Sequence, residues 1–271
     1  MSGVLNIGIV GAGGRMGRMI AGLAAAMPGV AVTGAAEVKG SPHLGADLGT
    51  LAGLPANGVT VTDDSAAMFA AVDVVIDFTA PAATAAHAAL AARQGCALVA
   101  GTTGLEPQHR SALAEAGKSV PVVWASNMSS GVNLLFALVE QVAKALPDDY
   151  DIEIVEMHHR HKVDAPSGTA ITLGEAAARG RGVDLAQAAD RGRDGITGAR
   201  VRGHIGFAAL RGGDVVGDHT VIFAGGGERI ELTHKAASRE VFARGALRAA
   251  LWTQGRAPGL YSMKDVLGVG G

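Results

Sequence analysis

Short β-branched runs alternate with Ala- and Leu-rich stretches over the first half of the chain. The pattern predicts strands over 4–10, 30–36, 72–78, 97–100 and 120–125, with helices between them over 15–27, 64–71, 81–94 and 106–117. The strands are nearly continuous apolar runs, as a parallel sheet covered on both faces requires. Together they predict a doubly wound α/β domain. Past residue 127 the rhythm changes. A long helix over 132–146, a strand over 151–157, a His-rich loop and a helix over 169–179 come first; strands over 201–208, 214–223 and 228–234 follow. The later strands alternate only in part and are separated by Gly-rich turns, which predicts an α+β domain with an antiparallel or mixed sheet. Residues 239–252 return to a helical pattern, and the tail over 259–267 is apolar enough to pack onto the first domain. The predicted division is therefore 1–129 with 240–271 for one domain and 130–239 for the other. The polar, Gly-rich stretch over 180–195 is predicted as an exposed loop.

Composition narrows the partners. Hydrophobic residues make up 48% and charged residues 18% of the 271, with a formal net charge of −2, so no polyanion-binding surface is indicated and nucleic acid is not expected as a partner. No run reaches the roughly 18 apolar residues of a membrane span. The first residues lack a basic stretch before the apolar run, so neither secretion nor a membrane partner is expected. Cys96 is the only cysteine, which excludes an internal disulfide and fits the reducing cytoplasm.

The first predicted strand runs directly into Gly11-Ala12-Gly13-Gly14-Arg15-Met16-Gly17 and then into a helix. Strand, glycine turn and helix form a Rossmann-like phosphate site: glycines allow the backbone to approach a pyrophosphate, and the helix N-terminus offers free N–H donors. Met16 stands where the third glycine of G-x-G-x-x-G would be, so the set reads as G-x-x-G-x-x-G through Gly11, Gly14 and Gly17. Glu37 closes the second strand, where a carboxylate can accept from the adenosine ribose hydroxyls. Val38 and Lys39 follow; the lysine could meet a 2′-phosphate that Glu37 would repel, so the cofactor is NADH or NADPH, with the preference leaning to NADH or to dual use. Gly101-Thr102-Thr103-Gly104 and Ala125-Ser126-Asn127-Met128 end later strands at the same sheet edge and are expected to line the nicotinamide half.

The densest chemistry lies in Glu156-Met157-His158-His159-Arg160-His161-Lys162-Val163-Asp164-Ala165-Pro166-Ser167-Gly168-Thr169-Ala170. Along a strand His158 and His159 face opposite ways, so they need not share a role. A metal site is the sharp rival, but the spacing lacks the H-E-x-x-H form or a nearby thiolate, and none is expected. A solvated basic loop is the bland one. The Ser167-Gly168-Thr169 helix start argues against it, since its backbone donors suit a carboxylate. Lys162 adds an ammonium and the histidines add protons that exchange near neutral pH, so the segment can bind a di-acid and protonate a carbanion-like centre.

These strings, with Asp77-Phe78-Thr79, Gly217-Asp218-His219-Thr220, Glu231-Leu232-Thr233-His234-Lys235-Ala236 and the closing Gly259-to-Leu267 segment, resemble the 4-hydroxy-tetrahydrodipicolinate reductases, also called dihydrodipicolinate reductases. The resemblance covers nearly the entire chain, and E-x-H-H-R-H-K-x-D-A-P-S-G-T is its most specific part. It implies reduction of a cyclic dicarboxylate by NADH or NADPH, with loss of water, in the diaminopimelate route to lysine. It further implies that His158 donates the proton, that Lys162 assists protonation at the ring carbon, and that His159 holds one substrate carboxylate. Gly168 and Thr169 would bind the other. A homotetramer joined through the sheets of its second domains is also implied, which makes that domain a substrate-binding and oligomerisation unit. Two departures from the family pattern are Val38, where a basic residue often follows the acidic one, and Met128, where an aromatic is common. A different amino-acid-pathway dehydrogenase and a cofactor-sensing binding protein are the rival readings. Turnover of candidate substrates separates all three.

Overall fold

The computed structural model describes residues 3–269. They divide into two compact units, one reaching Ser129 and resuming over Glu240–Gly268, the other covering Ser130–Arg239. Residues 1–2 and 270–271, the ends of the expected first domain, lie outside the described residues.

The first unit contains β1 (Leu5–Val10), α1 (Arg15–Ala24), β2 (Val30–Ala36), α2 (Leu48–Leu51), β3 (Val61–Thr62), α3 (Ser65–Ala70) and β4 (Val74–Asp77). It continues through α4 (Pro81–Gln94), β5 (Ala97–Ala100), α5 (Pro107–Ala116) and β6 (Pro121–Trp124). The second unit then supplies α6 (Ser130–Ala145), β7 (Asp151–His158), α7 (Gly168–Arg181), α8 (Leu185–Ala188) and β8 (Ala189–Asp190). It ends with β9 (Ile205–Arg211), β10 (Gly217–Ala224) and β11 (Arg229–Ala236), after which α9 (Glu240–Trp252), β12 (Gly259–Tyr261) and α10 (Met263–Leu267) return to the first unit.

The first sheet is a Rossmann-like parallel sheet with the order β12-β6-β5-β4-β1-β2-β3. β4 and β5 are buried at every position, because helices cover both faces and no side of these strands meets water. One core layer joins Ile7, Ile9, Val74, Val99 and Val123 to α1 and α9; the other joins Val75, Leu98 and Val122 to α4 and α5. The strand order reverses between β1 and its two neighbours β4 and β2, which leaves a crevice at their carboxyl ends. α4 starts with Pro81 and stops at left-handed Gly95, the terminators that its Ala-rich interior lacks.

The second sheet has the order β11-β10-β7-β9-β8 and is mixed: β10 runs antiparallel to β7 and β11, whereas β9 runs parallel to β7 and β8. β7 alternates strictly, and Ile152, Ile154, Glu156 and His158 occupy its buried face. Ile152 and Ile154 join Phe207, Val221 and Phe223 in a core with Phe136 and Val139 of α6 and Leu173 and Ala177 of α7. Leu210 and Ile230 are exposed.

Two expectations change here. The predicted strand over 201–208 begins only at Ile205, because Gly203 takes a left-handed turn (φ 83°) just before it. The stretch predicted as an exposed loop over 180–195 holds α8 and the edge strand β8, and Arg193 within it pairs with Glu153 at 2.8 Å. Its polarity reflects ion pairing along a sheet edge rather than a free loop. Among the described residues no helix is long and apolar enough to cross a membrane.

Candidate active site

In the first unit the glycine turn adopts the geometry that its composition predicts. Gly11 is left-handed (φ 66°), and the Gly14 amide donates to the Gly11 carbonyl at 3.0 Å. A Cβ on Gly17 would lie 2.5 Å from the Gly11 oxygen, so only glycine lets α1 pack this tightly onto the turn. The Gly14 N-cap gives α1 no side-chain hydrogen bond, which leaves its first amides facing outward with their partial positive charge. The Glu37 carboxylate accepts from the Gly13 amide at 2.9 Å and so holds the acidic side chain at the turn. Val38 and Lys39 are exposed beyond it.

Arg15 is exposed and Met16 half-buried, whereas the side chains of Ala12 and Met128 are buried in the core; only the backbone of those two residues can face a ligand. Thr102 is buried, with its carbonyl accepting from Trp124 Nε1 at 3.3 Å, and Thr103 is exposed beside it. Gly101 packs against the Phe78 ring so closely that a Cβ would fall 2.3 Å from it. Ala125 is buried and Ser126 exposed at the end of β6. A left-handed glycine turn, an uncapped helix start and a carboxylate at the second strand fit the pyrophosphate and ribose of a dinucleotide.

In the second unit the segment over 156–169 forms one connected network. His158 Nδ1 lies 2.6 Å from Glu156 Oε2, with both side chains on the buried face of β7. Arg211, at the end of β9, grips both Glu156 oxygens at 2.8 Å, and the Ser167 amide donates to Oε1 at 3.1 Å. Burial works to raise the Glu156 carboxyl, but the bonds from Arg211, His158 and Ser167 outweigh it and hold the group below the usual carboxylate range. It stays ionised and so fixes the Nδ1 proton on His158, turning Nε2 to the other side. Burial depresses the His158 pKa, the Glu156 contact opposes the shift, and the charges of Lys162 and Arg211 add to it; the net direction is down. Burial is the largest cause, ahead of the cationic neighbours.

His219 packs edge-on to His158, with ring centroids 5.1 Å apart, and its Nε2 lies 3.0 Å from Ser167 Oγ. Burial, reinforced by the charge of His158, lowers its pKa to about 4, so it is neutral near pH 7. Ser167 caps α7 by accepting from the Ala170 amide at 3.2 Å, and Gly168 and Thr169 form the first turn of that helix. Lys162 Nζ meets Asp164 at 2.8 and 3.0 Å. The His159 amide donates to Val215 O at 2.8 Å, while its Nδ1 is buried without a hydrogen-bond partner. A buried polar atom without a partner is a position that a ligand's polar group can satisfy.

The structure thus gathers His158, His159, Lys162, Gly168 and Thr169 into one region of the second unit. Sequence reading missed Arg211 and His219 as its partners. Arg211 carries no local signal. His219 stands opposite Glu156 in the β10–β7 register, a pairing that only the sheet reveals.

Comparison with known proteins agrees across both units. A family model described as dihydrodipicolinate reductase, N-terminus, matches residues 5–128, and one described as dihydrodipicolinate reductase, C-terminus, matches residues 131–267. A 4-hydroxy-tetrahydrodipicolinate reductase of Rhodopseudomonas palustris strain BisA53 is 60% identical over 262 residues, covering 97% of this chain and 96% of the relative. Another, from Dinoroseobacter shibae, is 56% identical over 269 residues, covering 99% of this chain and 100% of the relative. A dipicolinate-bound dihydrodipicolinate reductase from Paenisporosarcina sp. TG-14 shares the fold, with a TM-score of 0.76 at 23% identity over 96% of this chain and 97% of that one. With both units matched in order and more than half of the residues identical to full-length relatives, the chain belongs to the dihydrodipicolinate reductase family.

Proposed function

We propose that the residues described above divide the family's reaction between the two units. The chain is a pyridine-nucleotide-dependent reductase of 4-hydroxy-tetrahydrodipicolinate, acting in lysine biosynthesis by the diaminopimelate route. When bound, the dinucleotide supplies a hydride to a ring carbon; the neighbouring carbon takes a proton, and one water is lost. Gly11, Ala12, Gly13, Gly14, Arg15 and Met16 receive the pyrophosphate, and Glu37 and Val38 flank the adenosine ribose. Gly101, Thr102, Thr103 and the Ala125-Ser126-Asn127-Met128 loop line the nicotinamide half.

His158 donates the proton from Nε2, because Glu156 occupies Nδ1. The Lys162 ammonium stabilises negative charge that develops on the ring. His159 binds one carboxylate, and the first turn of α7 at Gly168 and Thr169 binds the other. The Glu156–His158 contact carries this reading: it holds one proton at Nδ1, so that the imidazolium gives up its other proton from Nε2 and returns to the neutral ring.

NADH is the preferred cofactor, since the Glu37 carboxylate at the turn repels a 2′-phosphate and Val38 offers it no cation. The compartment is the reducing cytoplasm, in keeping with a single buried cysteine. Four copies join through the second sheet, whose exposed Leu210 and Ile230 would be covered. The test is steady-state oxidation of NADH and of NADPH with freshly generated cyclic substrate. Turnover with higher kcat/KM for NADH supports the assignment; no turnover with either cofactor overturns it.

A further inference from the structure

Asp77 is fully buried at the carboxyl end of β4, in the last row of the sheet, where it pairs with Val10 of β1 and Ala100 of β5. A carboxylate there is costly to take out of water unless its oxygens are satisfied. They are satisfied from two adjoining loops and a helix. Asp77 Oδ1 accepts from the Thr79 amide at 2.8 Å, from Thr79 Oγ1 at 2.6 Å and from Thr102 Oγ1 at 3.4 Å. Oδ2 lies 2.8 Å from His87 Nδ1, on the second turn of α4. His87 is itself held by stacking on Phe69, with centroids 5.8 Å apart, and Thr84 of the same helix bonds Thr102 Oγ1 at 2.7 Å.

The two threonines lead outward to the crevice. The Thr79 methyl lies against Gly11, where a Cβ would come within 2.9 Å of it. Thr102 begins the exposed Thr103-Gly104 turn, and the Gly101 amide donates to the Asp77 carbonyl at 2.8 Å. One buried acid thus joins the glycine turn after β1, the loop after β4 and the loop after β5, the three loops at the switch in strand order. None of this is required to close the sheet, whose ladder is already complete through Asp77.

We propose that Asp77 and His87 are a positioning pair for the dinucleotide: they fix Thr79 and Thr102 so that the glycine turn and the Gly101–Gly104 loop are set before the cofactor arrives. The inference rests on the glycine turn being the nucleotide site. Neither residue touches the cofactor. The pair acts by pre-organisation, and losing it costs binding through the order that the loops must then acquire.

Fluorescence titration with NADH tests it. His87→Leu removes the donor to Asp77 and is expected to raise the NADH Kd about tenfold, the effect of one lost buried hydrogen bond. His87→Asn restores a donor at the Nδ1 position and is expected to bring the Kd back to within about threefold of the unaltered chain. In turnover, the His87→Leu rise in NADH KM exceeds its fall in kcat, a split that general loss of fold would not produce. Unchanged NADH affinity in His87→Leu, or an Asn variant as weak as the Leu variant, overturns the inference. If His87→Leu shows no cooperative melting transition, Thr79→Val serves instead; severalfold weaker NADH binding supports the inference and unchanged binding overturns it. Absence of NADH binding in the unaltered chain overturns the cofactor reading itself, a result distinct from any of these.

Discussion

Glu156 and His158 lie two residues apart on the same face of β7, with Oε2 and Nδ1 separated by 2.6 Å and Arg211 closing the other side of the carboxylate. The spacing follows from the strand: period-two alternation puts both side chains on the buried face, and burial makes their contact strong. Glu156→Gln keeps the shape but lets the amide present the wrong group to Nδ1 and leaves Arg211 without its charge partner. The expected outcome is a kcat lower by about tenfold or more, with NADH affinity unaffected, read by steady-state kinetics beside NADH titration. Full kcat in this variant would remove Glu156 from the proton-donor assembly.

His158→Gln removes the proposed acid itself. Turnover is expected to fall about 10²–10⁴-fold while the NADH Kd stays within about twofold, since the glycine turn belongs to the other unit. Persisting turnover would assign the proton to another group.

The depressed pKa of His158 sets a pH dependence with a definite sign. A general acid works only while protonated, so kcat/KM, which reports the free enzyme, falls as pH rises past a value below the ordinary 6.5. A bound dicarboxylate brings negative charge to the imidazole and raises its pKa, so the alkaline limb of kcat lies at higher pH than that of kcat/KM. Coincident limbs in the two profiles would count against His158 as the donor beside the substrate.

Gly217 faces His158 Nε2, and a Cβ there would lie 3.0 Å from that nitrogen. Gly217→Ala is therefore expected to crowd the atom proposed to deliver the proton. A fall in kcat of about tenfold with a small change in melting temperature is the expected result. A variant with unaltered kcat would show that Nε2 points elsewhere during turnover.

His219 makes an acid-stability prediction. Its pKa falls from 6.5 to about 4 on folding, so between those values the unfolded chain binds more protons and stability rises with pH. On this account His219 costs up to roughly 3 kcal/mol once pH drops to about 4, and nothing above about 7. Chemical denaturation at pH 5 and pH 7.5 measures it: His219→Gln should show a smaller loss of stability at the lower pH than the unaltered chain does. Equal losses would place the acid sensitivity in other imidazoles with lowered pKa, His158 and His234 foremost.

Much of this was legible in the residues, and the reasons are physical. α4 over 81–94 and β5 over 97–100 announce themselves because Pro81, Gly95 and an unbroken apolar run leave little freedom. The glycine turn was equally plain, since a left-handed residue and a close helix contact each demand glycine. α2 and β3 escaped because four and two residues are too few to show a period. In the site, His158, Lys162 and Gly168 share one short segment and read together. Arg211, which decides the charge state of Glu156, is 55 residues away in sequence and enters only through the parallel pairing of β9 with β7. The Asp77–His87 bond was hidden too: its residues lie on separate elements, and Asp77 reads as an ordinary strand end until its burial is seen.

The strand that closes the first sheet is β12, paired with β6 more than a hundred residues earlier in the chain. A ribosome must therefore emit the whole second unit before the nucleotide-binding unit can complete its sheet. Until then β6 stands as an open edge, free to pair with another chain, and a prematurely terminated product would carry that sticky edge permanently.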